Sequence, residues 1–336
     1  MPDSSEVAIG PPAVTILEIS DLTLAGEGIE LLEQDAVQLQ SRPLRARRVV
    51  VRLDGVAVVF HSTNLRVRTR TKTLSGLVGF VTFGPRATGT ANGVPISPDL
   101  MLAAEAETEV GFVAEAGYES IAVLVPPDVL RTHLGIRQRP SDFHAPNGIE
   151  ILDVGAMAAR GLFKLARRLV DTAARQPALF DEQQDRRAAA QVELLEALLA
   201  ALGSARVAEP SRDAQTRQAQ SRIVAIAEDY ALAHAGEFLY VTDLCRATGV
   251  SERALEYAFN RVMGMAPIAY LTRLRLNRVR KALLTADRGS TTVSAQALTW
   301  GFWHLGEFAR AYKACFGERP SDTLRQRSAE SGTAAA

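Results

Sequence analysis

From residue 13 to about residue 126, apolar and polar residues alternate over short runs that are broken by Gly, Pro and Asn. That period of two is the mark of half-buried strands. Runs at 45–53, 56–69, 77–83 and 120–125 are rich in Val, Thr and Phe and predict strands. Asp54-Gly55, between the first two, is a hairpin signal. Along the second run Arg66, Arg68 and Arg70 alternate with Val67 and Thr69, so the three arginines share one face. Two readings fit that face: a solvated outer surface, or the anion-binding wall of an effector pocket. Residues 128–135, after Pro126-Pro127, predict a short helix. Beyond residue 150 the period changes. Residues 155–175 and 182–202 are rich in Ala and Leu at helical spacing, with Leu162, Leu165, Leu169 and Ala173 in one stripe and Val192, Leu195, Leu198 and Leu199 in another. This helical pair either packs on the β region or pairs with a second chain. Residues 204–220 are polar and predict a linker or a polar helical lead-in.

The last hundred residues repeat a helical pattern. Residues 222–234 carry Ile223, Ile226 or Ala227, and Tyr230 on one side. Thr242 is the expected cap of a short helix running to Thr248, Gly249-Val250 the turn, and Ser251 the cap of a second helix with Leu255, Phe259 and Val262 inward. A short helix, a turn and a second helix make a helix-turn-helix. The pattern recurs: a short helix at 293–300, a turn at Gly301-Phe302, and a longer helix at 303–316 with Leu305, Phe308, Tyr312 and Phe316 on one face. A helix from Pro267 to Leu284 joins the two, with Pro267 at its first position and Leu276, Val279 and Leu283 as its apolar edge. Eighteen residues span roughly 27 Å, enough to hold two recognition helices near one turn of DNA apart.

Charge sharpens this picture. The chain of 336 residues is formally neutral, yet residues 211–328 hold 17 Lys and Arg against 11 Asp and Glu, whereas residues 1–210 hold 21 against 26. A basic block beside an acidic one suggests an anion-binding module on a separate domain. Opposite the apolar stripe of the first recognition helix lie Arg253, Tyr257 and Asn260, with Glu256 beside them. In the second unit the same geometry selects Trp303, Glu307 and Arg310, flanked by His304, Gly306 and Lys313. Arg pairs with guanine, Asn with adenine, and Glu accepts from cytosine. On the joining helix Arg275 and Arg278 are expected to reach phosphates, alongside Arg273, Arg280 and Lys281.

Other chemistries find little support. Cys245 and Cys315 sit far apart in helical patterns and read as buried apolar residues, not as a disulfide. The five histidines (His61, His133, His144, His234 and His304) show no metal-ligand spacing, although His61 and His133 or His144 can still meet in space. No phosphate-cradling Gly-rich loop or nucleophile elbow occurs, so the reading is non-enzymatic, with no cofactor. No leader-like segment or membrane-length apolar run is present, and a cytoplasmic, nucleoid-associated protein is expected.

The stretch Ser251-x-Arg253-x-Leu255-x3-Phe259-x4-Gly264-x2-Pro267-x2-Tyr270-Leu271, continuing to Arg275-Leu276, Arg280 and Leu283, resembles the AraC/XylS family of bacterial transcription regulators. So does Gly301-Phe302 followed by Phe308-x3-Tyr312-x3-Phe316-Gly317-x2-Pro320-Ser321. Val279, where the family usually has Ala, and Glu256, at a groove-facing place, depart from the pattern. Gly301-Phe302-Trp303-His304-Leu305-Gly306, Arg275-Leu276-Asn277 and Thr291-Thr292-Val293 resemble a subgroup containing the ethanolamine-operon regulator, for which ethanolamine with a cobalamin is the implied effector. The likeness lies in residues 222–327 and leaves this chain's own ligand open. What it implies is an α+β protein: a β-rich, cupin-like regulatory domain with following helices, then an all-α tandem helix-turn-helix domain. The expected boundaries are a tail at 1–12, the regulatory domain at 13–150, the helical pair at 151–203, the linker at 204–220, the DNA-binding domain at 221–327 and a tail at 328–336. Expected partners are double-stranded DNA, a second copy of the chain, a small-molecule effector and RNA polymerase, often in the sense of activation, with no membrane. Two alternatives remain: an N-terminal domain that only dimerises or binds a protein, and a metal-dependent cupin-type enzyme.

Overall fold

The computed structural model describes residues 11–26, 30–74, 76–136, 146–209, 211–287 and 289–325. All but residues 11 and 12 of the expected N-terminal tail, the whole tail at 328–336, and His144 lie outside the described residues. The N-terminal half runs β1 (Val14–Ile19), β2 (Leu32–Gln38), β3 (Ala46–Arg52), β4 (Ala57–Thr63), β5 (Val67–Thr73), β6 (Val78–Phe83), β7 (Gly89–Ala91), β8 (Val94–Pro95), β9 (Leu100–Ala104), β10 (Glu109–Ala114) and β11 (Tyr118–Val125). Then follow α1 (Pro127–Ile136), β12 (Ile149–Asp153), α2 (Ala156–Arg175), α3 (Pro177–Glu182), α4 (Gln184–Leu202) and β13 (Arg206–Val207). All pairings are antiparallel. The large sheet has the order β1-β3-β4-β11-β6-β9-β12-β13, the small one β2-β5-β10-β7-β8.

The strand expected at 56–69 is two strands. The chain leaves the large sheet after Thr63 and enters the small one at Val67. No Gly or Pro marks the break; the Asn64 side chain makes it, accepting from Arg45 N at 2.7 Å and donating to the Pro43 carbonyl at 3.2 Å. The large sheet is buried on both faces, which is why its central strands read as nearly unbroken apolar runs. On one face Val49, Val51, Phe60, Ile121 and Val123 pack with Leu162, Ala166, Leu194 and Leu198 of α2 and α4. The helical pair therefore packs on the β domain. On the other face, Leu102, Ala104 and Tyr118 meet Ala36, Val67 and Val110 of the small sheet. Between the sheets lies a cavity of about 110 Å³, the double-sheet arrangement of a cupin-like domain.

The outer face of the small sheet is covered by the C-terminal helices, and this decides between the two readings of the arginine row: neither holds. Arg68 forms a buried pair with Glu228, Arg70 bonds Glu109 and Asp229, and Arg66 donates to the carbonyls of Met263 and Val262. The three arginines are a domain interface. Gly111 pairs with Arg70 across the β5–β10 ladder, but it is the Arg68 guanidinium that lies over it, and a Cβ there would collide with that group, so the groove for the Arg68 side chain depends on the missing methyl. Val37, Leu39 and Val113 extend the apolar core of the C-terminal domain into the same contact. No helix among the described residues is long and apolar enough to cross a membrane.

Candidate nucleic-acid interface

The C-terminal part carries the helices α5 (Arg212–Ala233), α6 (Val241–Thr248), α7 (Glu252–Met263), α8 (Pro267–Thr285), α9 (Val293–Thr299) and α10 (Leu305–Phe316), and residues 320–325 are helical again. Residues 212–220 belong to α5, because Ser211 caps it by accepting from Ala214 N at 3.2 Å; the lead-in reading holds from there. Helix α6 starts at Val241 with Tyr240 in the cap position and no side-chain cap, so Thr242 is inside the helix, not its cap. Gly249, at φ 69°, takes the left-handed turn that ends α6. Ser251 caps α7 and Thr292 caps α9, each accepting from the backbone N–H three residues on.

Helix α8 joins two cores. Tyr270, Leu271 and Leu274 pack with Leu244, Leu255, Phe259 and Val262 of the first unit. Leu276, Val279 and Leu283 pack with Ala297, Phe308, Tyr312 and Cys315 of the second. The apolar stripes of α7 and α10 are thereby spent on these cores, and their opposite faces are left bare. Arg253, Glu256, Tyr257 and Asn260 are all exposed on α7. Gly306, Glu307, Arg310 and Lys313 are exposed on α10, where Arg310 and Glu307 form an ion pair of 2.8 Å with both side chains over 70% exposed. Trp303 and His304 are exposed too, but they precede α10, which starts at Leu305. Trp303 instead stacks on Phe238, with ring centroids 6.2 Å apart, and Phe238 neighbours Tyr240. This aromatic trio bridges the two units. Sequence reasoning missed Phe238 and Tyr240; the signal was the Phe-Leu-Tyr alternation just ahead of α6.

The joining helix corrects the phosphate assignments. Arg275 is buried: it donates to the carbonyls of Glu237 at 2.7 Å and His234 at 2.6 Å, tying the α5–α6 loop to α8. The His234 and Ala231 carbonyls that it meets lie at the end of α5, where a cation is favoured, and the Glu237 carbonyl lies in the loop beyond. Burial lowers its pKa. Gly301 leaves room for that guanidinium, since a Cβ would strike it. Arg278 is half-buried and paired with Asp35 of β2, and Arg273 donates to the Gln38 carbonyl at 3.0 Å. Arg280 binds Asp21 and Glu318 and lies 4.7 Å from the centre of the Phe316 ring. The basic side of α8 is turned to the β domain and to its own turns, because carboxylates and carbonyls there compete with any phosphate.

The cavity between the sheets is a second candidate site. Its wall is mostly apolar (Val81, Leu102, Phe112, Leu124), with Arg48, His61, Gln34, Thr71, Tyr118 and Ser120 among the polar groups. Burial holds the Tyr118 phenol above its usual range and, together with Arg48, keeps His61 well below its own. Sequence reasoning weighed His61 as a metal ligand against an ordinary core or surface histidine, favouring the latter, and did not place it in a ligand cavity. The alternation along β3 and β4 places Arg48 and His61 on the inward face, opposite each other in the ladder.

A helix-turn-helix domain family model matches residues 244–326. Over 103 residues the chain is 44% identical to the "Probable thc operon regulatory protein" of Rhodococcus erythropolis, 31% of either chain. It is 39% identical over 77 residues to the XylDLEGF operon transcriptional activator of Pseudomonas putida, 23% of this chain and 24% of that one. The match thus spans about a third or less of these curated relatives' length. A crystal structure of a probable AraC family transcriptional regulator from Rhodopseudomonas palustris is 37% identical, covering 32% of this chain and 97% of that one, with a TM-score of 0.29.

Proposed function

Because the chain belongs, through its C-terminal helices, to the AraC/XylS family of transcription regulators, we propose that it binds a specific DNA site and regulates transcription from it under the control of a small-molecule effector. One observation carries this reading: two helix-turn-helix units share α8, and the second helix of each presents a bare polar face. Helix α8, with 19 residues, spans about 28 Å, which suits two recognition helices in successive major grooves of one duplex face. In this reading Arg253 and Arg310 lead base contacts. Glu307 orients Arg310, Asn260, Glu256 and Tyr257 read or border the same groove, and Lys313 meets phosphate. Trp303, His304 and Gly306 border the second groove. Arg275 and Arg278 are not assigned to DNA; they hold the scaffold.

The cavity of the β domain favours an effector over a purely structural N-terminal domain, since an apolar chamber with a few convergent polar groups is the usual form of a small-molecule site. The effector acts through the arginine interface by changing how the β domain holds α5, α7 and α8. A dimer in the cytoplasm and contact with RNA polymerase complete the mechanism, in the sense of activation that the Pseudomonas relative's name carries. No catalysis is assigned.

Footprinting of the full-length chain on DNA upstream of its own gene tests the reading. Two protected major grooves per protomer are expected. Arg310→Ala is expected to cost about 1–3 kcal/mol at the specific site and to relax preference at one base position. An unchanged footprint and affinity would remove Arg310 from base readout.

A further inference from the structure

The cavity contains a cation that meets no carboxylate among the described residues. Arg48 sits on the inward face of β3, is 1% exposed and lines the cavity. A guanidinium stays protonated, and a buried cation is costly unless an anion meets it. Among the described residues all its bonds go to neutral groups: Nη1 donates to the Ala25 carbonyl, Nη2 to Gln34 Oε1, and Nε to His61 Nδ1 at 3.2 Å. The other deeply placed arginines are treated differently. Arg68 meets Glu228, Arg280 meets Asp21 and Glu318, and Arg275 caps a helix end through several carbonyls. Burial pulls the Arg48 pKa down to about 10, as expected of a charge with no counter-ion.

The surrounding wall narrows the choice of counter-ion. The lining's other guanidinium, Arg47, is paired with Glu18 at 3.0 Å, so Arg48 alone is left to balance a monoanion and not a phosphate dianion. Its planar fork matches a carboxylate. The remaining wall is aliphatic and aromatic, which calls for an apolar body. The volume of about 110 Å³ is somewhat below the roughly 150 Å³ of an apolar cavity that holds one benzene. We infer that the cavity binds a small monocarboxylic acid no larger overall than about a benzene, with a compact apolar body of about two to four carbons, its carboxylate seated against Arg48 between Gln34 and His61. The inference rests on the effector reading of the cavity and gives that effector its chemical class.

Matched acids and primary amides test it, because the two differ in charge and hardly in shape. The full-length chain is titrated calorimetrically at pH 7 with butanoate, 2-methylpropanoate and cyclopropanecarboxylate, and with the amide of each. At least one acid is expected to bind about tenfold or more tightly than its amide, and Arg48→Met is expected to bring that pair within about threefold. Should Arg48→Met fail to fold, Arg48→Lys keeps the charge without the fork. It is expected to retain the preference for the acid at weaker affinity. Binding of the acid, but not the amide, is also expected to shift the His61 imidazole resonances of the wild-type chain. Acid and amide binding alike would overturn the carboxylate assignment and leave the effector reading standing. Silence from all six compounds would overturn the assignment, and silence from a broad set of neutral metabolites as well would overturn the effector reading with it.

Discussion

Replacing Arg68 by Met removes the positive half of a pair that water hardly reaches. The Arg68 and Glu228 side chains are 4% and 2% exposed, and the two bonds between them measure 3.2 and 3.0 Å. Met fills much of the volume, so the loss is electrostatic. Among the described residues Glu228 would keep the Tyr270 hydroxyl alone as a donor. Breaking a buried pair by deleting one partner costs about 3–5 kcal/mol, because the other charge stays desolvated. That is about 2.2 to 3.7 decades in an equilibrium constant, at 1.36 kcal/mol per decade. Glu228→Gln should cost a similar amount by leaving Arg68 alone. The double variant leaves no buried charge, so its cost should fall well short of the sum, with a coupling of about 1.5 kcal/mol or more. Urea denaturation of the four proteins measures this directly. Single variants that each lose less than about 1 kcal/mol, with an additive double variant, would refute the claim that this pair holds the domains together.

Other expectations are of different sizes. The Asp35–Arg278 pair is half-exposed, so Asp35→Asn should cost less than about 1 kcal/mol, and that cost should shrink with added salt; a salt-independent loss as large as that of Arg68→Met would contradict it. His61 is buried as the neutral imidazole with its pKa well below 6.5, so the unfolded chain binds the proton more readily. Stability is then fully present above about pH 6.5 and falls below it, by up to about 1.36 kcal/mol per pH unit. Denaturation midpoints between pH 7 and pH 5 should show that slope in the wild type and a shallower one in His61→Gln. Thr292→Ala removes the α9 cap and should cost about 1 kcal/mol, read as a lower Tm with the DNA footprint unmoved.

Much of the C-terminal architecture was legible because its signals are local. Ser251, Gly249, Pro267 and the stripes of α7, α8 and α10 each follow from chain-neighbour geometry, and the structure places them as expected except for Leu305, the first residue of the α10 stripe, which is exposed. Where local signals compete, the reading slips. Thr242 is a good capping residue, yet the helix begins one residue before it. Trp303 suits a helix, yet stacking on Phe238 accompanies a start two residues later. The larger misreading concerned charge. Arg66, Arg68, Arg70, Arg275 and Arg278 look alike in sequence, and only tertiary contacts with Glu228, Asp229, Asp35 and the ends of α5 and α7 distinguish an interface cation from a solvated one. The cavity was illegible for the same reason. Arg48 and His61 face each other only through the β3–β4 register, which no short motif announces.

The paired charges across the domain boundary also limit portability. Grafting residues 211–325 onto a foreign sensor would leave Glu228 buried without its cation and strip Val37, Leu39 and Val113 from the rim of the α5–α7 core. Arg273 and Arg278 would lose the Gln38 carbonyl and Asp35. A chimera therefore needs a recipient strand carrying an arginine that lies over a neighbouring glycine, as Arg68 lies over Gly111, or Glu228→Gln introduced in the same step.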